Sequence, residues 1–344
     1  MKENLYYFVM SGRHPCLSRA ELETLCNATG RGSLVTQFTQ VALYRLEGGD
    51  AQARRIQVES STIKEAGKVI ALTEQDISRV AAELSAPRET YDGRLRVDVK
   101  RIQSLGQHMD INELRRVVAE KLRVNRNRKP ESTDKATRIN VILTDGIVIV
   151  GEVLSDESKG PLLLENPHDL PFYKPGALNP WFSRILVNLA RTPRTRKFVD
   201  AFCGVGSIAL HAVRLNIKET LCGDASRLMC WGCLVNFREL CSKTMYSIVR
   251  WDATRLPLRD ESVESLASDL PYGRSVKTIS GDTRMIAEKF IVELERVLVR
   301  GGRAVLSMPM GAEPDTENIS LKVKYKCPMY VHSRLSRTIL VLEK

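Results

Sequence analysis

The chain has 344 residues, 43% of them hydrophobic, so it is long enough for two or three compact domains, each with its own core. Its 52 lysines and arginines exceed its 41 acidic residues, and the formal charge of +11 favours polyanionic partners, above all nucleic acid. No apolar stretch approaches the roughly 20 residues that a bilayer crossing needs, so a soluble protein without a membrane partner is expected.

The eight cysteines lack the regular spacing of a disulfide framework, and no secretory signal precedes them, so a reducing cytoplasm is the expected location. Cys230 and Cys233 have the CxxC spacing of a zinc or redox pair, but no second pair lies at ligand distance. We interpret them as two small apolar residues of a packed helix and expect no bound metal.

The first part of the chain alternates strand-like and helical patterns. Ser18 to Glu21 has the form of a capping box at the start of the first helix. The order strand-helix-strand-strand-helix-strand predicts a small α+β domain. The strand-like runs cover residues 5–10, 34–38, 41–46 and 68–72, and the later helical segments cover 51–59 and 74–84.

A second unit begins near Arg94, where Leu95, Val97 and Val99 alternate with charged residues, as in a strand that is buried on one face. A helix is expected from about 110 to 122. Two further strands, 139–144 and 147–154, turn at Asp145-Gly146, which is a hairpin dipeptide.

Residues 121–129 form the densest positive run in the chain. A solvated helix end and loop would explain this run. Its place beside the charged face of the strand after Arg94, which carries basic residues, instead favours a surface that contacts phosphates. The predicted nucleic-acid contacts are Lys100, Arg101, Arg123, Arg126, Arg128 and Lys129.

Glycine and proline are dense from about 155 to 180, which excludes regular helix or strand there and predicts a linker. From about Trp181 onward, apolar runs alternate with helical patterns. This alternation predicts a doubly wound α/β fold with parallel strands, which is the expected catalytic domain.

A strand ending at Asp200 runs into Cys203-Gly204-Val205-Gly206-Ser207, and glycines at such a turn let the backbone approach a ligand closely. Asp224 ends the next strand, where it can accept hydrogen bonds from ribose hydroxyls, and Asp252 follows a third strand, where it suits an adenine amino group. Asp224 alone could equally be a plain turn residue. Three acids at successive strand ends suit a cationic sulfonium nucleoside better than an anionic dinucleotide.

The tetrad Asp269-Leu270-Pro271-Tyr272 follows another strand-like run, at the usual site position of an open α/β sheet. An exocyclic base amine is a poor nucleophile because its lone pair is conjugated with the ring. Asp269 can accept one N–H hydrogen bond and later the proton, the Pro271 carbonyl can accept the other, and Tyr272 can stack on the base. The alternative is a structural turn in which Asp269 caps an amide, but the acids upstream favour catalysis.

On these residues the sequence resembles the archaeal tRNA methyltransferases that modify N2 of guanosine at position 10. Asp200 to Ser207 and Asp269 to Ser275 match the signature segments of that family. Residues 1–85 resemble its N-terminal ferredoxin-like domain, 86–153 its THUMP RNA-binding domain, 154–180 a linker with the segment that covers the cofactor, and 181–344 its Rossmann-like methyltransferase domain.

The resemblance implies S-adenosyl-L-methionine as the cofactor, tRNA gripped by the N-terminal half as the partner, and N2-methyl- and N2,N2-dimethylguanosine as products. Leu270 replaces the proline that is usual at the second position of the tetrad, which leaves the extent of methylation open. The implied catalytic residues are Asp269, Pro271 and Tyr272. The implied cofactor-binding residues are Tyr173, Pro175, Gly176, Asp200, Phe202, Gly204, Gly206, Ser207, Asp224, Asp252, Ala253 and Asp269.

Two alternatives stay open at this point. An adenine N6 or cytosine N4 methyltransferase acting on RNA or DNA would use the same tetrad, because its chemistry serves any exocyclic amine. A noncatalytic RNA-binding subunit is the second alternative, although an intact tetrad and acid series argue against it. The sequence decides neither the role of Arg274 nor the need for an accessory subunit.

Overall fold

The computed structural model describes residues 4–85, 91–92, 94–122, 124–125, 136–154, 166–191, 197–241, 245–272 and 283–344. The chain divides into two units. The first unit contains Met1–Pro15, Gly30–Val58 and Ile63–Ser158. The second unit contains Cys16–Thr29, Glu59–Thr62 and Lys159–Lys344, so it includes two short pieces from the N-terminal part of the chain.

The strands before residue 155 are β1 (Leu5–Met10), β2 (Gly32–Phe38), β3 (Val41–Leu46), β4 (Ile63–Glu74), β5 (Tyr91–Asp92), β6 (Leu95–Arg101), β7 (Val124–Asn125), β8 (Thr137–Thr144) and β9 (Ile147–Val153). The helices are α1 (Pro15–Ala28), α2 (Gly49–Glu59), α3 (Ile77–Leu84) and α4 (Ile111–Lys121). Seven of the strands form one sheet in the order β2-β3-β1-β4-β9-β8-β6, and the short strands β5 and β7 pair separately.

Local sequence patterns explain most of the first sheet. Strand β1 is buried along its whole length because it lies between β3 and β4. Strands β8 and β9 turn at Asp145 and Gly146, whose φ angles of 40° and 76° are left-handed, as the hairpin dipeptide predicted. Helix α3 begins after its cap Asp76, later than predicted, because β4 continues to residue 74.

The four strands β2-β3-β1-β4 have the order expected of a strand-helix-strand-strand-helix-strand unit. The sheet continues beyond them, because β9 pairs antiparallel with β4. The alternating pattern after Arg94 is confirmed as β6, which pairs in parallel with β8. The boundaries of the ferredoxin-like and THUMP domains stay predictions.

The second unit is built on a sheet in the order β12-β11-β10-β13-β14-β16-β15. Its first five strands are parallel and its last two are antiparallel, which confirms the predicted α/β class. The strands are β10 (Lys197–Asp200), β11 (Glu219–Asp224), β12 (Met245–Arg250), β13 (Val263–Asp269), β14 (Leu298–Pro309), β15 (Lys322–His332) and β16 (Leu335–Glu343). The helices are α5 (Pro180–Ala190), α6 (Ser207–Arg214), α7 (Arg227–Leu240) and α8 (Thr283–Val297).

Each side of this sheet has an apolar core. Helix α8 packs through Phe290 and Leu294 on one side, and helix α5 packs through Phe182 and Leu186 on the other. Helix α1 joins the α5 side through Leu17. Among the described residues, no helix has both the length and the apolarity needed to span a membrane.

The predicted capping box at Ser18 is wrong. Helix α1 begins at Pro15, so Ser18 and Glu21 lie inside the helix, and both are buried. The Glu21 carboxylate accepts hydrogen bonds from residues 60–62 and from Asn188 of α5. These donors make Glu21 the polar centre that joins three segments distant in the sequence.

A disulfide between Cys16 and Cys327 also ties α1 to β15. The cysteine spacing did not predict it, because bonded residues separated by 311 positions leave no local pattern. Disulfides are rare in most cytosolic proteins but occur inside the cells of hyperthermophiles.

Replacing the central carboxylate should destabilise the protein strongly. Glu21→Ala should lower the free energy of unfolding by about 3 kcal/mol, because buried donors lose their acceptor. Urea unfolding followed by circular dichroism measures this loss. Arg19→Ala, at an exposed position of the same helix, should change stability by less than about 0.5 kcal/mol. Equal losses in the two variants would contradict a central role for Glu21.

Candidate active site

The predicted acids lie at one edge of the second sheet. Asp200, Asp224 and Asp269 end strands β10, β11 and β13, and Asp252 follows β12 by two residues. Because these strands are parallel and adjacent, their carboxyl ends meet at the same edge. Chain order reverses between β10 and β13, which is where open α/β sheets bind ligands.

The turn between β10 and α6 needs its two glycines for different reasons. Both have left-handed backbones, with φ of 50° at Gly204 and 93° at Gly206. A Cβ at Gly204 would have no atom within 4 Å, whereas a Cβ at Gly206 would lie 2.8 Å from the Cys233 sulfur. Gly204 therefore leaves open space that a ligand can approach, and Gly206 permits close packing on α7.

The Asp224 carboxylate supports this glycine turn directly. It accepts hydrogen bonds from the backbone N–H of Gly204 at 3.1 Å and of Ser226 at 2.8 Å. Burial raises the pKa of Asp224 above its usual range. Asp224 is thus more than a local turn residue, because its contact with Gly204 reaches the neighbouring strand end.

Asp200 is fully buried, and only part of its carboxylate is satisfied. Its Oδ1 accepts a hydrogen bond from the Ser268 hydroxyl at 2.9 Å, whereas Oδ2 has no partner among the described residues. Burial raises the pKa of Asp200 well above its usual range. The Ser207 hydroxyl, at the start of α6, is likewise buried without a partner in the described part of the chain. Such atoms can accept a hydrogen bond from a polar ligand or from an ordered water.

Asp252 has the local role that a turn acid would have. Its Oδ1 accepts hydrogen bonds from the Thr254 backbone at 2.9 Å and from the Thr254 hydroxyl at 2.8 Å. Ala253 is buried beside it, and Phe202 packs edge-on against Phe290 at 5.0 Å between ring centroids. The ligand roles of these residues stay predictions.

The segment before α5 is anchored to α7 through its backbone. Asn236 accepts a hydrogen bond from the Phe172 N–H at 2.7 Å and donates to the carbonyls of Phe172 and Val205. Phe172 also packs so closely on Gly232 that a Cβ there would lie 2.0 Å from its ring. The predicted cofactor-covering segment is therefore held beside the glycine turn.

The predicted ligands in this segment are more exposed than its anchor. Tyr173 is 36% exposed and packs against His168 with ring centroids 4.5 Å apart. Gly176 follows Pro175 with a φ of 95°, and a Cβ on it would meet open space. Sequence analysis missed Asn236 and Gly232, although Gly232 lies inside the CxxC motif, where only the cysteines carry a recognised spacing.

The tetrad brings both predicted hydrogen-bond acceptors to the strand end. Asp269 Oδ1 accepts a hydrogen bond from the Tyr272 hydroxyl at 2.9 Å, and the Pro271 carbonyl accepts one from the Thr283 hydroxyl at 2.7 Å. Each oxygen has a second lone pair, so each can accept an amine N–H as well. Burial raises the pKa of Asp269, and the positive charge of Arg337 opposes that rise.

Leu270 has a structural role at the second position of the tetrad. Its side chain is fully buried in the core that contains α8, and its N–H donates to the Ser307 carbonyl at 2.8 Å. A proline could not make that hydrogen bond. Tyr272 is the last described residue of this stretch, so Gly273, Arg274 and Ser275 lie outside the described residues.

Arg337 is a site residue that sequence analysis missed. Strand β16 places its guanidinium 5.2 Å from the Tyr272 ring centroid, and Nη2 lies 3.8 Å from Asp269 Oδ2. Arg337 stands opposite Pro309 in the antiparallel pairing with β14. Its distance of many residues from the tetrad leaves no motif to detect.

The buried sulfurs of Cys203, Cys222 and Cys233 lie within 4.8 Å of one another, a spacing that could hold a metal ion. They share an apolar cluster with Leu210 and Phe237, as small apolar residues would. The expected absence of a metal stays a prediction.

The two predicted RNA contacts that the structure describes both have partners within the protein. Lys100 pairs with Glu65, and Arg101 donates to the carbonyls of Gly106 and Met109. Arg123, Arg126, Arg128 and Lys129 lie outside the described residues.

The mixed sheet, the glycine turn and the strand-end acids are the features expected of an S-adenosylmethionine-dependent methyltransferase. Residues 167–319 match the family model described as UPF0020, RMKL-like, methyltransferase domain. The crystal structure of TrmN from Thermus thermophilus has the same fold, with a TM-score of 0.50 and 16% identity over 99% of both chains.

Relatives in archaea carry more specific names. The chain is 27% identical to the tRNA (guanine(10)-N2)-dimethyltransferase of Methanothermobacter thermautotrophicus, over 71% of this chain and 72% of that protein. It is 28% identical to the protein of the same name from Methanocaldococcus jannaschii, over 65% of this chain and 62% of that protein. The resemblance seen in the sequence is therefore confirmed.

The carboxylate beneath the glycine turn should control cofactor affinity. Asp224→Ala should weaken binding of S-adenosylmethionine at least tenfold, because Gly204 loses its anchor and the cofactor loses an acceptor. Isothermal titration calorimetry measures this affinity. Asp315→Ala, at an exposed position, is the control and should bind like the wild type. Unchanged affinity in Asp224→Ala would remove that residue from the cofactor site.

Proposed function

We propose that the protein methylates the exocyclic N2 amine of a guanosine in tRNA, at position 10, giving N2-methyl- and then N2,N2-dimethylguanosine. The observation that carries this proposal is the pair of acceptors at the end of β13, the Asp269 carboxylate and the Pro271 carbonyl. The names of the archaeal relatives support the choice of guanine and of tRNA.

The residues at the sheet edge fit S-adenosyl-L-methionine. Asp200 Oδ2 is buried without a partner in the described chain, and it would accept a hydrogen bond or face a positive group. Gly204 borders open space, and Asp224 lies at the strand end that suits ribose hydroxyls. When bound, the cofactor supplies an electrophilic methyl group attached to a cationic sulfur.

The tetrad prepares the amine for attack. Asp269 and the Pro271 carbonyl each accept one N–H, which fixes the nitrogen and favours a pyramidal geometry with an available lone pair. Positive charge that develops on the nitrogen during methyl transfer would lie beside the Asp269 carboxylate, which would stabilise it. Asp269 then accepts the proton. Stacking on Tyr272 holds the base plane in this mechanism.

A tRNA substrate also suggests a role for the first unit and a location for the enzyme. Residues 86–153 are proposed to act as a THUMP domain that grips the tRNA, aided by the net positive charge of the chain. The cytoplasm, where tRNA is found, is the proposed location of the enzyme.

Removal of the Asp269 carboxylate should stop methyl transfer without a large loss of affinity for S-adenosylmethionine. Asp269→Asn should reduce methyl transfer to unmodified tRNA about a thousandfold, because the amide cannot accept the proton. Its affinity for S-adenosylmethionine should stay within about threefold of the wild type. Mass spectrometry of digested nucleosides measures the product, and calorimetry measures cofactor binding.

Other results would favour the alternatives. Activity of Asp269→Asn within about tenfold of the wild type would show that Asp269 is not the proton acceptor. Methyladenosine without methylguanosine from the wild type would show an adenine methyltransferase. Failure of the wild type to bind the cofactor would support a noncatalytic RNA-binding subunit.

The basic run should contribute salt-dependent affinity for tRNA. Replacing Arg126 and Arg128 together with glutamine should weaken binding and reduce the slope of log K against log salt by about two, because two phosphate contacts are lost. Filter binding at several salt concentrations measures both values. Replacing Arg79 and Arg116, which are exposed and paired with Glu74 and Glu120, is the matched control. Equal effects of the two double replacements would indicate that residues 121–129 form a solvated surface and do not contact tRNA.

A further inference from the structure

Arg337 occupies an enclosed position beside the tetrad. Its side chain is 12% exposed. The guanidinium carbon lies 5.1 Å from the Phe182 ring centroid and 5.2 Å from that of Tyr272, so it contacts two aromatic rings. Cations bind favourably to aromatic faces at such distances, most strongly where water is excluded. The guanidinium is therefore confined where it can act on Asp269.

The distance between the Arg337 guanidinium and the Asp269 carboxylate determines how the two groups interact. Arg337 Nη2 lies 3.8 Å from Asp269 Oδ2, which is beyond the range of a hydrogen bond but close enough for strong electrostatic attraction. The positive charge can therefore favour the ionised carboxyl without occupying the lone pairs that would receive an amine N–H. Among the described residues, Arg337 Nε is buried without a partner, so the side chain is not held by a full set of its own hydrogen bonds.

A structural arginine in the same sheet differs in its partners, although its Nε is likewise buried without a partner among the described residues. Arg303 on β14 donates directly to Glu343 at 2.8 Å and also reaches the Leu189 carbonyl, at the opposite edge from the tetrad. Those contacts are the ones expected of an ion pair that stabilises the fold. Arg337 instead contacts two aromatic rings and approaches an acid whose chemistry requires a negative charge.

Other groups around the Asp269 carboxyl do not supply that charge. The turn contributes the Tyr272 hydroxyl, and β14 contributes Ser307 opposite Asp269. On the adjacent strand β10, the Asp200 carboxyl is bound by the Ser268 hydroxyl. Arg337 is the cation that the described residues place against Asp269.

We propose that Arg337 is a positioning residue for methyl transfer, which favours the ionised form of Asp269 and holds the Tyr272 ring in place while leaving the carboxylate oxygens available to the amine. This inference rests on the proposed function.

The pH dependence of turnover separates this role from a structural one. Burial raises the pKa of Asp269 and Arg337 lowers it, so loss of the charge should raise it further. In Arg337→Met, kcat for tRNA methylation should fall about a hundredfold at neutral pH. The acidic limb of the kcat profile should move upward by at least about one pH unit. KM for S-adenosylmethionine should stay within about threefold.

Two further variants serve as controls. Arg337→Lys keeps the charge but not the planar group, so it should restore the position of the acidic limb while recovering only part of kcat. Arg303→Met should lower the melting temperature without moving the limb. Melting temperatures of all variants show whether each is folded, and Arg337→Gln, which also removes the charge, supplies the test if Arg337→Met does not fold.

The inference is overturned if folded Arg337→Met keeps the wild-type limb, or if its loss appears in KM for S-adenosylmethionine rather than in kcat. An acidic limb in Arg337→Lys that resembles that of Arg337→Met would also contradict it. These outcomes differ from failure of the proposed function, in which the wild type itself forms no methylguanosine.

Discussion

Burial of carboxyl groups at the edge of the second sheet is the constraint on which the site depends. Burial raises the pKa values of Asp200, Asp224 and Asp269, so folding favours their neutral forms. Their contribution to stability is therefore present at low pH and is lost as pH rises through the folded-state pKa values. A cationic ligand or a set of N–H donors reverses this preference. A cationic ligand such as a sulfonium nucleoside would favour the ionised carboxylates at this edge and would offset the cost of burying their charge.

The contrast with Glu21 shows how a structural carboxylate differs. Glu21 is also fully buried, but hydroxyl, amide and backbone donors from its own unit surround it. Those donors come from α5 and from residues 60–62, so the second unit requires chain that precedes residue 159. The Cys16–Cys327 bond reinforces the same connection. A catalytic fragment cut at the linker would lose Glu21, its donors at residues 60–62 and the disulfide together, and would leave the Asn188 amide without its acceptor.

Local sequence patterns predicted the features that depend on neighbouring residues in the chain. The strand at 5–10, the hairpin at Asp145-Gly146, and the acids at strand ends follow from alternation, turn chemistry and the α/β rule. Tertiary packing overrode local chemistry at Glu21, where a plausible capping motif lies inside the helix. The roles of Asn236 and Arg337 depend on contacts between distant segments, which no spacing records. The strand-end acids could therefore be predicted from the sequence. Asn236, which anchors the segment before α5, and Arg337, which places a positive charge beside Asp269, could not.

Leu270 links these observations to the extent of methylation. Its buried side chain and its hydrogen bond to Ser307 attach the tetrad to the core and to β14. The positions of Asp269 and the Pro271 carbonyl are therefore set by the protein, whether or not an amine occupies both. After one methyl transfer the amine keeps a single N–H, and one fixed acceptor suffices to hold it. Under the proposed function, an acceptor pair anchored in this way is compatible with a second transfer, and leucine in place of proline does not weaken that anchor.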